Sequence, residues 1–186
     1  MPKFRVGSAS LHYDVTGNGP ETIVFLHGLL WSGAMYAAQV AHFSQTYRCV
    51  TLDFRGQGRS DVARDGYEMD DLAQDVLALV HEIGGAPVHL AGLSMGGFVA
   101  MRIAARRPDL VRSLILLETS AGAEDPAKIS SYRLLGTIGR LFGFGLVASR
   151  VMPLMFGQTF LRDASRAPER AHWRRMLVAN DRIGVS

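Results

Sequence analysis

Apolar and polar positions follow two different patterns in the first part of the chain. Residues 4–17 alternate between apolar and polar side chains around a short glycine-containing break, which is typical of a hairpin of two half-exposed strands. The next run is continuously apolar, as in a strand covered on both faces. This run and three further predicted strands are residues 22–28 (TIVFLHG), 47–53 (YRCVTLD), 87–92 (PVHLAG) and 111–118 (VRSLILLE).

Predicted helices separate these strands. Residues 68–85 (EMDDLAQDVLALVHEIGG) begin with acidic side chains, end in glycine and place apolar side chains on one helical stripe. The stripe consists of Met69, Leu72, Val76, Leu79 and Ile83. Two more helices are predicted at residues 31–43 and 95–108. Strands that alternate with helices after an opening hairpin indicate the α/β class, with a mostly parallel sheet of about six strands and helices on both faces.

The alternation of strands and helices stops near Thr119. From there the sequence predicts loops and helices, and we expect the helices to be interrupted by glycines and prolines. These residues are Gly136, Gly139, Gly143, Gly145, Pro126, Pro153 and Pro168. The chain is therefore predicted to have two parts. Residues 1–119 form the core, and residues 120–186 form a helical lid or cap.

Composition narrows the class of protein. With 186 residues, 48% of them hydrophobic and 20% charged, the chain is expected to fold as a globular domain rather than remain disordered. The N-terminal residues do not resemble a signal peptide, and no run approaches the roughly 18 apolar residues of a membrane span, so we expect a cytoplasmic protein without a membrane partner. Cys49 is the single cysteine and is predicted to be a buried thiol in a strand. No histidine pair has zinc-binding spacing, and no metal is expected.

Positive charge is concentrated in the second part. Residues 1–120 contain 10 basic and 12 acidic side chains, whereas residues 121–186 contain 10 basic and 5 acidic ones. Nucleic acid or acidic lipid would suit such a segment. However, Arg166, Arg170 and Arg174 recur at four-residue spacing, which is typical of a solvated helix face. Because no nucleic-acid-binding motif accompanies the charge, we expect no nucleic-acid partner.

A candidate nucleophile lies between the strand at 87–92 and the helix at 95–108. Residues 92–96 have the sequence GLSMG, a GxSxG pattern in the strand-to-helix context that the pattern requires. To project Ser94 from so tight a turn, the backbone must be strained. The positions two before and two after the serine then have no room for a side chain, and Gly92 and Gly96 meet this requirement. Backbone N–H groups at the helix start, including that of Met95, are expected to face a developing oxyanion. The alternative is a phosphate-binding turn with a chance serine, but no GxGxxG or GxxxxGK[ST] pattern occurs.

Three segments together resemble the α/β hydrolase superfamily, from the opening hairpin to the end of the sixth strand. FLHGLLWSG resembles the loop that supplies an oxyanion donor, LDFRGQGRSD resembles the DxRGxGxS loop, and GLSMGG resembles the nucleophile elbow. The resemblance implies that Ser94 is the nucleophile and that the backbone N–H groups of Leu29 and Met95 form the oxyanion hole. It also implies that His27 and Gly28 shape the first loop and that no cofactor is used. The sequences of these segments are most similar to those of small esterases, enol-lactonases and cofactor-free perhydrolases.

The sequence departs from the superfamily where a base and an acid should follow Ser94. Only His172 follows it, in the arginine-rich part, and we interpret it as a lid residue. The remaining histidines are predicted to lie on strand or helix surfaces or inside the fifth strand, and His27 is a fallback base only. Glu118 ends the sixth strand and is a candidate acid; alternatively, its carboxylate caps the following turn.

The missing base and acid lead to an expectation about the whole chain. Family members continue into two further strand–helix units that carry the acid and the histidine, and we expect this chain to lack them. The strand at 111–118 would then be an uncovered apolar sheet edge, so we predict marginal stability, self-association as a homo-oligomer, or both.

Two functions remain open. The first is a serine hydrolase that acts on a small ester, lactone or thioester through an acyl-serine intermediate, impaired by the missing base and acid. The second is a truncated or non-catalytic relative that binds a small apolar ligand. Residues 134–156 offer a wall rich in methionine and phenylalanine for such a pocket, although a simple lid core explains the same pattern.

Overall fold

One six-stranded sheet organises the N-terminal part of this computed structural model, which describes residues 2–123 and 125–184. The strands lie in the order β1-β2-β4-β3-β5-β6, and the first two pairs are antiparallel whereas the others are parallel. The predicted, mostly parallel α/β sheet is confirmed. The strands are β1 (Lys3–Val6), β2 (Ala9–Thr16), β3 (Thr22–Leu26), β4 (Arg48–Leu52), β5 (Val88–Leu93) and β6 (Val111–Leu117).

Helices cover both faces of this sheet. They are α1 (Ala37–Phe43), which follows a 3-10 turn at Gly33–Tyr36, α2 (Met69–Ile83) and α3 (Met95–Arg106). One apolar cluster packs α2 and α3 against one face, and it buries Leu72, Val76 and Leu79 of the predicted stripe. A smaller cluster on the other face includes Tyr36 and Cys49. The predicted buried thiol is confirmed, and burial raises the pKa of Cys49.

The chain divides into two compact units, residues 1–123 and 124–186. The division predicted from sequence was between residues 119 and 120. The second unit is helical, as expected, and its helices are α4 (Pro126–Phe142), α5 (Ala148–Met155), α6 (Gln158–Arg162) and α7 (Ala167–Val178).

Not every predicted helix break in the second unit is a break. Pro126 and Pro168 lie in the first turns of α4 and α7, and Gly143, with a φ of 90°, ends α4. In contrast, Gly136 and Gly139 lie inside α4, and Pro153 lies inside α5, so these predictions were wrong. The reason at Gly139 is packing, because a Cβ there would overlap the ring of Phe144.

The arginines of the second unit are mostly exposed, as predicted for a solvated face. Arg166 pairs with Glu169 at 3.0 Å, and its guanidinium lies 5.0 Å from the centre of the Phe160 ring. Residues 2–123 and 125–184 include no helix that is both long and apolar enough to cross a membrane. The same residues contain no cluster of three potential metal-ligating side chains.

Parallel strands bring four connecting segments to one end of the sheet. The carboxyl ends of β3, β4, β5 and β6 lie at the same edge, where α/β folds bind ligands. The segments that follow these strands are residues 27–33, 53–61, 94 and 118–119. Ser94 therefore lies at the same edge of the sheet as the other three segments.

Candidate active site

Ser94 lies at a strained corner between β5 and α3. Its φ of 48° and ψ of −113° fall in a region that residues with a side chain rarely adopt. The side chain is half-buried, and the carbonyl accepts hydrogen bonds from the N–H groups of Gly97 at 2.9 Å and Phe98 at 3.1 Å. The chain therefore turns directly from strand into helix at the serine itself.

Two glycines make this corner sterically possible. A Cβ placed on Gly92 would lie 2.5 Å from the carbonyl carbon of Gly96, and a Cβ placed on Gly96 would overlap the carbonyl oxygen of Leu26 at the end of β3. Real Cβ atoms do not approach backbone so closely, so neither position admits a side chain without moving the turn. The structure thus supplies the steric reason for the spacing of the GxSxG pattern.

Two backbone N–H groups that the sequence proposed for the oxyanion hole lie in the segments that flank this corner, Leu29 in the loop after β3 and Met95 at the start of α3. The structure records no hydrogen bond from the N–H of Leu29 or of Met95 to another described residue. Met95 is the first residue of α3, where N–H groups have no partner within the helix. Gly28 packs against the corner, since a Cβ placed on it would lie 3.6 Å from the Cβ of Ser94. This arrangement suits stabilisation of negative charge that develops at a substrate oxygen.

Side chains of the loop after β4 hold the loop that carries Leu29. Leu30 has a φ of 71°, and its N–H donates to Oε1 of Gln57 at 2.7 Å. The N–H of Gly33 donates to Oδ1 of Asp53, also at 2.7 Å. The resemblance of LDFRGQGRSD to the DxRGxGxS loop identified this segment from sequence, but it did not identify Gln57, because a sequence pattern does not show which backbone N–H a side chain will meet.

His27 cannot act as the base, so the fallback suggested by the sequence is excluded. Its Nδ1 donates to the carbonyl of Gly28 at 2.8 Å, and its Nε2 accepts the N–H of Phe54 at 3.0 Å. Both ring nitrogens are therefore occupied. The ring is completely buried, which lowers the pKa of His27 and keeps the ring neutral.

Other histidines in the first unit are also engaged elsewhere or exposed. His12 was predicted to lie on a strand surface, but it is buried, with Nδ1 3.5 Å from Oδ2 of Asp53, because the loop after β4 folds back over β2. His89 lies inside β5 as predicted, and its Nδ1 is 2.8 Å from the hydroxyl of Ser113. His42 and His81 are exposed on helices, also as predicted.

Neither the candidate acid Glu118 nor the candidate histidine His172 forms a recorded hydrogen bond with Ser94 among the described residues. Glu118 follows β6, is exposed and has a φ of 43°, and no described histidine is hydrogen-bonded to its carboxylate. His172 lies on α7, where its ring meets the edge of Trp173 with 5.1 Å between ring centres. No hydrogen bond within residues 2–123 and 125–184 joins the Ser94 hydroxyl to a histidine ring.

A buried ion pair is a further feature that the sequence did not predict. Arg55 follows β4, and its guanidinium makes two hydrogen bonds, of 2.8 and 2.6 Å, to the carboxylate of Asp75 on α2. The Asp75 side chain is completely buried. The pKa of Arg55 is raised, chiefly by its hydrogen bonds to Asp75. The pair fixes the loop after β4 on the sheet face.

Comparison with protein families identifies the fold. The family described as the alpha/beta hydrolase fold matches residues 21–177, which is most of the chain. The chain belongs to the α/β hydrolase family. This α/β hydrolase contains the corner and the two loops described above within the matched region.

Curated relatives of this chain include proteins named as hydrolases and as putative haloperoxidases. It is 30% identical over 122 residues to a 2-(acetamidomethylene)succinate hydrolase from Mesorhizobium japonicum, a match that covers 66% of this chain and 44% of that protein. It is 33% identical over 135 residues to a putative non-heme haloperoxidase of Mycobacterium phage D29, which covers 71% of this chain and 46% of that protein. The matched region thus spans less than half the length of each relative.

Solved structures agree with this α/β hydrolase over nearly its whole length. An enol-lactonase from Burkholderia xenovorans LB400 superposes with a TM-score of 0.90 and 29% identity, covering 99% of this chain and 70% of that one. A thermophilic esterase from Thermogutta terrifontis gives a TM-score of 0.85 and 28% identity, covering 95% of this chain and 64% of that one. Both resemblances extend through the second unit.

Proposed function

We propose that the chain is an α/β hydrolase that uses Ser94 to accept the acyl group of a small ester, lactone or thioester. The observation that carries the proposal is the strained corner at Ser94. The N–H groups of Leu29 and Met95, which form no recorded hydrogen bond with another described residue, support it. Strain of this kind persists only where the surroundings enforce it, and it is concentrated at functional sites. The similar proteins named as esterase and enol-lactonase support a carboxylic ester or lactone as substrate.

Catalysis by the described residues is expected to be slow. A serine hydroxyl is a weak nucleophile until a base accepts its proton, and no described histidine bonds to Ser94. In serine enzymes, loss of the base and its partners lowers the rate by roughly 10⁴ to 10⁶, whereas the oxyanion hole and substrate binding retain roughly 10³ to 10⁴ over water. We therefore propose weak but Ser94-dependent acyl transfer.

Release of p-nitrophenolate from p-nitrophenyl acetate tests this proposal. The expected result is a slow burst of up to one equivalent per chain, followed by slower turnover, and Ser94→Ala abolishes the burst. Ser8→Ala is the matched control, because Ser8 is exposed in the turn between β1 and β2. Cys49 does not compete, since it is buried and its pKa is raised. A burst that survives in Ser94→Ala would contradict the proposal.

Binding of a small apolar ligand without chemistry is the second candidate function. It is favoured by an open pocket of about 400 Å³ between α4 and α5, where Leu135 and Leu154 line the wall together with the basic side chains of Lys128 and Arg150. Several other apolar residues of segment 134–156 form a core instead, among them Phe144, Val147 and Val151. This function predicts that the fluorescent apolar probe anilinonaphthalene sulfonate binds equally to the unmodified chain and to Ser94→Ala, with no burst from either.

A further inference from the structure

The segment that follows β6 holds both peptide groups of Ser94. The N–H of Ser94 donates to the carbonyl of Leu117 at 2.9 Å, and the hydroxyl of Thr119 donates to the carbonyl of Ser94, also at 2.9 Å. Between these two residues, Glu118 has a φ of 43°, in the left-handed region. Residues 117–119 therefore form a clamp whose two ends bind the N–H and the carbonyl of one residue.

Gly97 gives the clamp its space. A Cβ placed on Gly97 would lie 2.5 Å from Cγ2 and 2.6 Å from Oγ1 of Thr119. Any larger residue at position 97 would displace the threonine from the Ser94 carbonyl. The second glycine of the SMGG sequence is thus explained by contact with the Thr119 side chain, whereas Gly96 is explained by contact with the end of β3.

The bonds inside α3 do not replace the clamp. Gly97 and Phe98 donate to the Ser94 carbonyl from within the helix, so these bonds fix the start of α3. They do not connect the corner to the sheet on the β6 side. Leu117 and Thr119 supply that connection, and a residue in a strained conformation is retained only when its surroundings over-determine it.

We propose that Thr119 is a positioning residue for Ser94, whose hydroxyl, bonded to the Ser94 carbonyl, keeps the nucleophile directed at the substrate. The recorded contact is with the Ser94 carbonyl oxygen rather than with the reacting hydroxyl, so the role is orientation and not proton transfer. This inference rests on the proposed function of Ser94. It adds a residue from the segment after β6 to a site that sequence patterns confine to the elbow and the loop after β3.

Labelling with a fluorophosphonate probe measures the effect directly. The Ser94 oxygen forms a bond to phosphorus, the phosphorus–fluorine bond breaks, fluoride leaves and the hydroxyl proton passes to water. Thr119→Val removes the hydroxyl at nearly constant shape, and Thr119→Ser retains it. Thr137→Val is the matched control, because the Thr137 hydroxyl also donates to a backbone carbonyl, that of Arg133, at 2.8 Å inside α4.

The expected result separates orientation from binding. Thr119→Val lowers the maximal labelling rate about tenfold, the effect of one hydrogen bond, without changing the probe concentration for half-maximal rate. Thr119→Ser and Thr137→Val stay within about twofold of the unmodified chain. An unchanged rate in Thr119→Val, or equal losses in Thr119→Val and Thr119→Ser, would overturn the inference. Should Thr119→Val not fold, Thr119→Ala compared with Thr119→Ser makes the same test.

Hydrogen exchange distinguishes failure of this inference from failure of the proposed function. If the unmodified chain is not labelled at Ser94, the proposed function fails. The exchange rate of the Ser94 amide hydrogen, which is donated to the carbonyl of Leu117, then tests whether residues 117–119 hold Ser94 in place. Faster exchange in Thr119→Val, restored in Thr119→Ser, supports the clamp. The same exchange rate in all variants would overturn it.

Discussion

At the scale of single residues, the corner at Ser94 requires that three neighbouring positions have no side chain. Gly92, Gly96 and Gly97 each face atoms that a Cβ would meet at 2.6 Å or less. They face different partners, namely the start of α3, the end of β3 and the Thr119 side chain. The backbone geometry of Ser94 is therefore enforced from three directions.

Gly96→Ala is predicted to destabilise the first unit. The new methyl group would overlap the Leu26 carbonyl, and forced overpacking against backbone costs about 1–3 kcal/mol or more. Gly136→Ala is the matched control, because nothing lies within 4 Å of a Cβ there and the position is inside α4. That change is expected to be neutral or to stabilise by up to about 1 kcal/mol. Urea denaturation measures both, and equal midpoints for the two variants would contradict the steric account.

Because two histidines are buried, we predict that the fold loses stability in acid. Burial lowers the pKa of His12 and of His27 below the ordinary value of 6.5. Below that pH, the unfolded chain binds protons that the folded chain excludes, so the free energy of unfolding decreases as pH falls from about 6.5 towards the folded-state pKa values. Above about pH 6.5, the stabilisation that comes from keeping His12 and His27 neutral is fully present.

The contribution of His12 can be isolated by substitution. Its Nε2 has no hydrogen-bond partner among the described residues, and the charged groups around the ring are Asp14, Asp53, Arg59 and Lys3. His12→Leu is predicted to narrow the difference between urea midpoints at about pH 7.5 and about pH 5.5. His81→Leu, at an exposed position on α2, leaves the difference unchanged. No narrowing in His12→Leu would show that His12 is not an acid-sensitive group.

At the scale of elements, the loop after β4 depends on its ion pair with α2. Asp75→Ala leaves the Arg55 guanidinium buried without its carboxylate and is predicted to cost about 3–5 kcal/mol. Asp109→Ala is the control, since it removes an equally bidentate but exposed pair with Arg107, worth about 0–1 kcal/mol. Thermal or urea unfolding compares the two. Similar losses for both variants would mean that burial does not determine the effect.

Helices and strands were predictable from sequence where the apolar side chains follow a single pattern along the segment. The stripe on α2 and the apolar run of β3 each satisfy a single requirement, burial against the sheet, and both predictions are confirmed. The second unit was less predictable, because Gly139 serves packing against Phe144 rather than a helix end. Local propensity does not show such a contact.

At the scale of the whole molecule, β6 is an edge strand with exposed apolar side chains. It pairs with β5 alone in the described sheet, and Ile115, Leu116 and Leu117 are each about two-fifths exposed. Unpaired edge groups together with apolar side chains favour pairing with another chain. We therefore predict concentration-dependent self-association in sedimentation velocity.

A charged substitution tests this prediction about the edge. Ile115→Lys places a charge on β6 and is expected to shift the protein towards monomer, because charged side chains discourage pairing between edge strands. Ile183→Lys is the control, as Ile183 is also an exposed isoleucine but lies in the second unit. A monomer at all concentrations in the unmodified chain would show that the edge is not an interface.

The candidate site was predictable from sequence only in part. The strained turn at Ser94 was predictable, because the GxSxG pattern specifies its own local turn, whereas Leu29 was proposed only from the resemblance to the superfamily. Gln57 and Thr119 could not be found this way, since they act on backbone groups of segments distant in sequence. The exclusion of His27 as a base also required coordinates, because it depends on what both ring nitrogens contact.

The most direct test of the central claim is a crystal structure of the chain with Ser94 phosphonylated by the fluorophosphonate probe. The account predicts an adduct on the Ser94 oxygen, with one phosphoryl oxygen about 2.7–3.1 Å from the backbone nitrogens of both Leu29 and Met95. A phosphoryl oxygen directed away from those two N–H groups, or an adduct on another residue, would contradict it.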